Sequence, residues 1–542
     1  MAEPTAATAP AGSIRAAIDL RDYPAASAFS RAYASNFDAV SPLFAGNPAD
    51  PSAWRAAIRR ATAVPRDREA LTRVLLAQLE RRDAPAEARA AAARLADPDA
   101  VTVVTGQQAG IFGGPLYTLL KAVTAVRLAA QLSAEHGAPV VPIFWADGED
   151  HDWQEIRSTT VIDADGRPVE VAFPAFDGAG DRRSGDILLD GRIGETIDAL
   201  SRALPATPFT EDVRSTLARC YAEGRSVAEG YARFIEHLLG RHGLVVFESA
   251  DPAAKPLAAE ILAGELRHPG RSSALATAAG ERARALGFAP QVTPVEGAAA
   301  LFHLTPAREA IRVPFDGEAL AAEVLAHPER FSPNVLLRPI VQDWMFPNVA
   351  YIAGPGELAY HGQLEDIYKT FHVPRPLIYP RATASIMDAA SLRFLARQEI
   401  PFGSLARPDE AALNDLLRAR LPGDASAAVD AAAATMRERW AAIASAMPLV
   451  DPTLEAAAHA SLSRVEHELE HLQWKIVRAM KRRDATLRRQ FGHAQTLAFP
   501  GGAPQERVLG LVYFVNQYGP ALIDTLVAEL PTEMGRHWVV SL

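Results

Sequence analysis

The chain has 542 residues, of which 49% are hydrophobic and 22% charged, with a formal net charge of −10. Such a composition excludes a disordered or fibrous protein, and the acidic balance argues against a general nucleic-acid binder, which needs a basic face to neutralise phosphate. The single cysteine, Cys220, excludes an intramolecular disulfide and a cysteine-based zinc cluster.

Residues 1–12 lack a basic segment followed by an apolar one, so no signal peptide is expected, and no run of about 18 apolar residues marks a membrane span. A cytoplasmic protein is the expectation, and at about 100–200 residues per domain the length implies several units. Residues 1–95 should form an N-terminal helical layer, with Leu71, Val74, Leu75 and Leu79 at helical intervals.

The first part of an α/β core is expected over 96–155. Val101 to Val104 form a β-branched run suited to a central parallel strand covered on both faces. Gly106, Gly110, Gly113 and Gly114 follow, and allow positive φ or a close backbone approach; Pro115 then suits the first turn of a helix from Leu116 to about Leu132. A glycine turn feeding a helix N-terminus points unpaired N–H groups at an anion. The spacing matches neither G-x-x-x-x-G-K-[ST] nor G-x-G-x-x-G, and a turn chosen only for packing is the competing reading. Ala138 to Trp145 makes a second strand and closes a βαβ unit. Ligands of open α/β sheets lie beyond the carboxyl ends of the strands, which places the acidic run Glu149-Asp150-His151-Asp152 over the same crevice as the glycine turn.

A β-rich first insertion is expected over 156–241, with strands at Val169–Phe173 and Asp186–Leu189 before helices from 210. Cys220 reads as an ordinary helix position there. The core continues over 242–270 with a strand at Leu244–Phe247, and a second insertion, 271–330, has its irregular part around Gln291 to Val313. The second part of the core, 331–385, repeats the theme of an apolar strand opening into glycines. Arg338, Gln342 and Asp343 lie between strands, Gly354, Gly356 and Glu357 sit at a strand-to-helix junction, and Arg381 ends a strand at Leu377–Arg381. Over 386–498 two apolar stripes predict an antiparallel coiled-coil hairpin broken at Pro448 and Pro452. One runs through Val429, Met436, Trp440, Ile443 and Met447, the other through Leu462, Val465, Leu469, Leu472, Ile476 and Ala479. Such a hairpin is expected to dimerise. His467 and His471 have metal-ligand spacing but lie on a charged face and read as solvated residues. Residues 499–542 return to the core.

The acidic run admits three chemistries: metal ligation, His151 as general base, or recognition of an amine. Its structural alternative has Asp152 capping the following turn and His151 pairing with it. For Arg338 an ion pair is as good a reading as carboxylate binding, and Lys121 is placed to reach an anion. A zincin is excluded because H-E-x-x-H does not occur.

Several strings occur in one order: Thr105-Gly-Gln-Gln-Ala-Gly110, Gly113-Gly-Pro-Leu-Tyr117 with Lys121, Phe144-Trp-Ala-Asp-Gly-Glu-Asp-His-Asp152, Ser332 to Asp343, Ala353-Gly-Pro-Gly-Glu-Leu-Ala-Tyr360, Tyr379-Pro-Arg-Ala-Thr383, Pro504-Gln-Glu-Arg-Val-Leu509 and Tyr518-Gly519. Together they resemble the BshC family, the cysteine ligases of bacillithiol biosynthesis, over nearly the whole chain. The resemblance implies an α/β fold with a Rossmann-like parallel-sheet core, two connecting insertions and a C-terminal α-helical coiled-coil domain that mediates homodimerisation. It implies joining of cysteine, through its carboxyl group, to the amine of glucosaminyl malate. Amide formation from a free carboxylate is uphill in water, so ATP is the expected activator, with Mg²⁺ as a candidate companion.

On that basis Gly106, Gly110, Gly113, Gly114 and Lys121 are assigned to the nucleotide phosphates, and Gln505, Glu506 and Arg507 to a separate nucleotide pocket. Glu149, Asp150 or Asp152 would bind the amine with His151 as base. Arg338 or Arg381 would meet the malate carboxylates, with Gln107, Gln108, Gln342, Asp343 and Glu357 as further substrate contacts. The rivals are a catalytically idle nucleotide-binding scaffold and a metal-dependent hydrolase.

Overall fold

The computed structural model describes residues 13–176, 178–304, 308–312, 315–407, 411–419, 423–451, 454–483 and 485–542. The N-terminal stretch read for a signal segment, Val313 and Pro452 lie outside these residues, as does the side chain of Ala479. Two compact units result, 1–386 with 504–542, and 387–503.

The larger unit is built on a parallel sheet of β1 (Val101–Gln108), β2 (Val140–Asp147), β3 (Val245–Glu248), β4 (Asn348–Ala353) and β5 (Leu377–Pro380), in the order β5-β4-β1-β2-β3. Both faces are covered, which is why these strands read as nearly continuous apolar runs. Val101 and Val103 pack with Trp54 and with Leu128 and Leu132 of α1 (Leu116–His136), while Val104 packs with Ile143, Trp145 and Phe247 on the other face. Register pairs Gln108 with Asp147, Ala146 with Glu248 and Ala353 with Pro380, so the carboxyl ends of all five strands share one edge.

Several expectations are corrected. Residues Ile14–Asp19 are a strand, not part of a helix: they pair antiparallel with Arg536–Val540, which in turn pairs parallel with Thr383–Ile386. Because the partner lies over 500 residues away in the chain, no local pattern announced it. The second insertion strand is Pro168–Ala172, paired with Ser158–Ile162, but Asp186–Leu189 makes only a single bridge from Leu188 to Ser226. The apolar run after Ser332 is a helix, α2 (Arg338–Met345), following the short strand Phe331–Pro333. Asn334 starts it by accepting from the N–H groups of Leu336 and Leu337, a side-chain turn that competes with extended structure. The second insertion adds a sheet of Ala298–Leu304, Arg308–Arg312 and Phe331–Pro333. Cys220 is the last, buried residue of the helix Thr210–Cys220, and burial pushes its thiol up to about 11.

In the smaller unit α4 (Gly423–Ala446) and α5 (Leu454–Arg483) pack as a hairpin, with Arg437 and Glu466 joined across it at 2.8 Å. Val429, Trp440, Leu462, Val465, Leu469 and Ile476 are half-buried, whereas Met436, Ile443 and Leu472 stay exposed. His467 and His471 are exposed. Among the described residues no helix is long and apolar enough to cross a membrane.

Candidate active site

A crevice of about 330 Å³ opens over the carboxyl ends of β1, β2 and β4. Gly106, Gln107 and Gln108 form its floor, with Tyr117 and Lys121 from α1 on one side. Asp147, Glu149 and Asp150 follow β2, Arg338 comes from α2, and Gly354, Gly356, Glu357 and Tyr360 come from α3 (Pro355–His361) and its entry. Arg381 and Arg507 complete the wall.

One wall is cationic. Lys121 is buried, with Nζ 2.5 Å from the Gly106 carbonyl oxygen, 3.3 Å from Gln107 Oε1 and 2.5 Å from Glu357 Oε2. Burial lowers its pKa, and Glu357 opposes that shift. For Glu357, burial works to raise the carboxyl, but the Lys121 contact and hydrogen bonds donated by Tyr351 at 2.6 Å and the Gly354 N–H at 2.7 Å outweigh it and hold it low. Arg338 donates to Gln342 Oε1 and Tyr360 Oη and lies over the rings of Trp145 and Tyr351, an arrangement that suits a planar guanidinium better than an ammonium. Arg381 makes a two-pronged ion pair with Glu506 at 2.7 and 2.9 Å, and Arg507 is exposed at the rim.

The facing rim is acidic. Asp147, the last residue of β2, is raised to about 6 by burial, against the opposing pull of Arg338 and helped by Asp150 and Glu149. Asp150 accepts from Gln108 Nε2 at 2.8 Å. Glu149 is buried between two cations, Lys255 at 2.6 Å and Arg183 at 3.0 Å. Those pairs neutralise it, which makes it a poor ligand for a substrate amine or a metal.

The structure separates the remaining sequence candidates. Asp152 caps the helix Trp153–Ile156 through the Glu155 N–H, and His151 is nearly half exposed, 3.7 Å from Asp150; neither lines the crevice. Gln342 holds Arg338 from below, and Asp343 is buried, accepting from Gln342, Asn348 and Tyr368. Gln505 is tied to the backbone of Ile386, and Glu506 to Arg381 and Ala384, so these two build support while Arg507 joins the same crevice.

The glycine turn is packed instead of open. Gly113 and Gly114 do adopt positive φ, but Gly106 and Gly110 do not. A Cβ on Gly106 would lie 3.0 Å from the Trp145 carbonyl oxygen, and one on Gly110 2.9 Å from that of Ile156, so close approach is their reason. The N–H of Gly113 donates to Tyr221, that of Gly114 to Ile111 and that of Leu116 to Leu509. Gly110, Gly113 and Gly114 are therefore not in the crevice, and the helix N-terminus is closed by protein. Sequence reasoning missed Asp147, Tyr117, Trp145, Tyr351 and Tyr360. For Asp147 a signal existed, since it shares strand parity with Trp145 and sits where β2 ends. Among the described residues no group of three His, Cys, Asp or Glu is arranged to hold a metal ion.

Fold and crevice together define a Rossmann-like α/β protein with a crevice lined by charged side chains at the carboxyl edge of its sheet and a separate helical coiled-coil unit. Residues 17–382 match the family described as Bacillithiol biosynthesis BshC, N-terminal Rossmann-like domain, and residues 403–542 match its C-terminal coiled-coil domain. A protein of Salinibacter ruber named "Putative cysteine ligase BshC" is 34% identical over 530 residues, covering 94% of this chain and 95% of its own. Proteins of the same name from Chlorobaculum tepidum (32% over 492 residues, 85% and 86%) and Geobacillus kaustophilus (31% over 499 residues, 88% and 90%) are similar throughout. The chain belongs to the BshC family of bacillithiol biosynthesis and is a ligase-family enzyme.

Proposed function

We propose that this enzyme joins the carboxyl group of cysteine to the amine of glucosaminyl malate. The observation that carries the reading is the division of one crevice into a cationic wall and an acidic rim. The substrates carry carboxylates at one end and amines at the other. Arg507, exposed at the rim, would take a malate carboxylate through charge-assisted hydrogen bonds, with Arg381, whose guanidinium is held by Glu506, shaping the wall behind it, and Arg338 would take the carboxyl group of cysteine. Asp147, whose carboxyl is poised near neutrality by burial, would accept the proton that the amine loses as its nitrogen forms the new C–N bond. That base role passes from His151 to Asp147 because only Asp147 reaches the crevice.

Free carboxylates need activation, and ATP with Mg²⁺ would supply it. With the amides of the glycine turn already bonded within the protein, a phosphate would meet Arg507 and the open end of the crevice. The exposed Met436, Ile443 and Leu472 support homodimerisation through the hairpin, which sedimentation of the full chain would test. Cysteine, glucosaminyl malate, ATP and Mg²⁺ incubated with the purified protein should give a product heavier than the malate glycoside by one cysteinyl residue, with nucleotide cleavage dependent on both substrates. Nucleotide binding without product, or product without nucleotide, would refute the reading.

A further inference from the structure

Tyr117, Tyr351 and Tyr360 line the crevice, and the direction of the hydrogen bonds around each decides where its single hydroxyl proton goes. Tyr351 commits its proton to Glu357 Oε1 at 2.6 Å. Tyr117, with Arg381 over its ring, accepts from Gln107 Nε2 at 3.1 Å. Tyr360 Oη lies 3.3 Å from Arg338 Nη2, and a guanidinium has donors only. The phenol oxygen is therefore the acceptor in that pair, and its own proton points elsewhere. Among the described residues it meets no acceptor there. The nearby Glu357 is already engaged, Oε1 by Tyr351 and Oε2 by Lys121 and the Gly354 N–H.

The Tyr360 hydroxyl is also held in place. Its ring is 9% exposed and stacks on His361, with centroids 4.8 Å apart. Arg338, its donor, is braced by Gln342 Oε1 and by the rings of Trp145 and Tyr351. The charges that bear on the phenol are those of Arg338, Glu357 and Asp147. Burial raises it to about 12 against the pull of Arg338, so the proton stays on at neutral pH. A fixed donor that needs no reorientation is what stabilises charge developing on a reacting oxygen. The amides of the glycine turn cannot serve in that way, being bonded within the protein.

We infer that the Tyr360 hydroxyl is a catalytic donor, hydrogen-bonding the acyl oxygen of the activated cysteine as that oxygen takes on negative charge, an inference that rests on the ligase reading. The amine nitrogen of glucosaminyl malate forms its bond to the acyl carbon, the carbonyl π pair moves onto the oxygen, and the proton leaves nitrogen for Asp147. Collapse restores the C=O bond and breaks the bond to the activating phosphate oxygen, which departs with the electron pair. Tyr360 keeps its proton throughout. Arg338 meets the cysteine carboxyl group before reaction as well as during it, whereas the phenol hydrogen bond strengthens as charge builds on the oxygen. Tyr360 therefore acts on the rate more than on binding.

The test uses the purified full chain, steady-state ligation and calorimetric titration of cysteine. Tyr360→Phe keeps the stacked ring and removes only the hydroxyl. Its kcat should fall about a hundredfold or more, the scale of one lost oxyanion donor, while the Kd for cysteine stays within about twofold. A residue that served only to hold Arg338 would instead weaken cysteine binding. Difluorotyrosine in place of Tyr360 separates the two roles a second time and decides the matter where Tyr360→Phe fails to fold. Its phenol ionises well below that of tyrosine, and the phenolate accepts from Arg338 better than before but cannot donate. Ligation should then gain a falling limb on the alkaline side that the parent lacks. A folded Tyr360→Phe enzyme with unchanged kcat, a loss confined to cysteine affinity, or a difluorotyrosine enzyme without the new limb overturns the donor role and leaves the ligase reading standing. Absence of ligation by the parent protein sinks that reading, and the donor role with it.

Discussion

Arg381 and Glu506 are both nearly fully buried, and their pairing holds a crevice arginine in place. Replacing Glu506 by alanine removes two guanidinium hydrogen bonds and the acceptor for the Ala384 N–H, and leaves a buried charge without a partner. Breaking a buried pair from one side costs about 3–5 kcal/mol, whereas replacing both members by apolar residues of similar size is often near neutral. Glu506→Ala is therefore expected to lose about 3–5 kcal/mol, and Arg381→Met/Glu506→Leu to recover most of that loss. Urea unfolding followed by tryptophan fluorescence reports chiefly on the larger unit, which holds Trp54, Trp145, Trp153, Trp344 and Trp538, while Trp440 and Trp474 lie in the smaller one. The double variant should be stable yet bind the malate glycoside more weakly, because the crevice wall loses the paired guanidinium that shapes it. Should its loss equal the sum of the two single losses, the pair is not coupled and the reasoning fails. The pH dependence has a definite sign: burial would raise Glu506, but Arg381 outweighs it and holds the folded pKa low. The pair's contribution is present above the unfolded carboxylate pKa and is lost as pH falls through the folded one.

Asp147→Asn should abolish the limb of the ligation pH profile near 6, where the parent rate rises with pH as the raised carboxyl ionises; an unchanged limb would assign it to another group. Gly113→Ala meets both a φ of +85° and Leu511 Cδ2 at 2.8 Å, so it should cost more than Gly166→Ala, which has φ of +78° and open space around its Cβ. The control should lose about 1 kcal/mol and the turn variant about 2–5 kcal/mol from strain plus overpacking, and equal thermal shifts would contradict the packed-turn account. His537 is buried, with its ring nitrogens 2.9 Å from Thr383 Oγ1 and 3.0 Å from Ser385 Oγ, and burial lowers its pKa to about 4. The unfolded chain takes up that proton near pH 6.5 and the folded one does not, so stability should fall by about 1.4 kcal/mol per pH unit between 6.5 and 4. His537→Asn should flatten that slope in denaturant titrations; a parallel slope would mean that the ring is already protonated in the folded chain.

The runs Val101–Val104, Ala138–Trp145 and Leu244–Phe247 announced three strands of the central sheet, because strands buried on both faces must be apolar throughout. The carboxyl-edge position of Gln107, Gln108, Glu149, Asp150, Glu357 and Arg381 followed from the same rule. The glycine turn was legible as a turn but not in its use. Gly113 and Gly114 have the backbone freedom of an anion cradle, yet Tyr221 and Leu509, distant in sequence, take up the hydrogen bonds. In the acidic run four neighbouring residues looked alike, and only their surroundings separated them. Glu149 went to Lys255 and Arg183, Asp152 to a helix cap, and Asp147, two residues past the predicted strand and just before the run, became the poised carboxyl.

By itself the chain's order of apolar runs, glycines and helical stripes determined a parallel α/β core interrupted by insertions and followed by a coiled-coil hairpin, since burial periodicity is a local property written residue by residue. Only the tertiary structure decided which polar groups are free to meet a ligand. A side chain's availability depends on partners brought from elsewhere in the chain, and Coulomb attraction and desolvation act across space without regard to sequence distance.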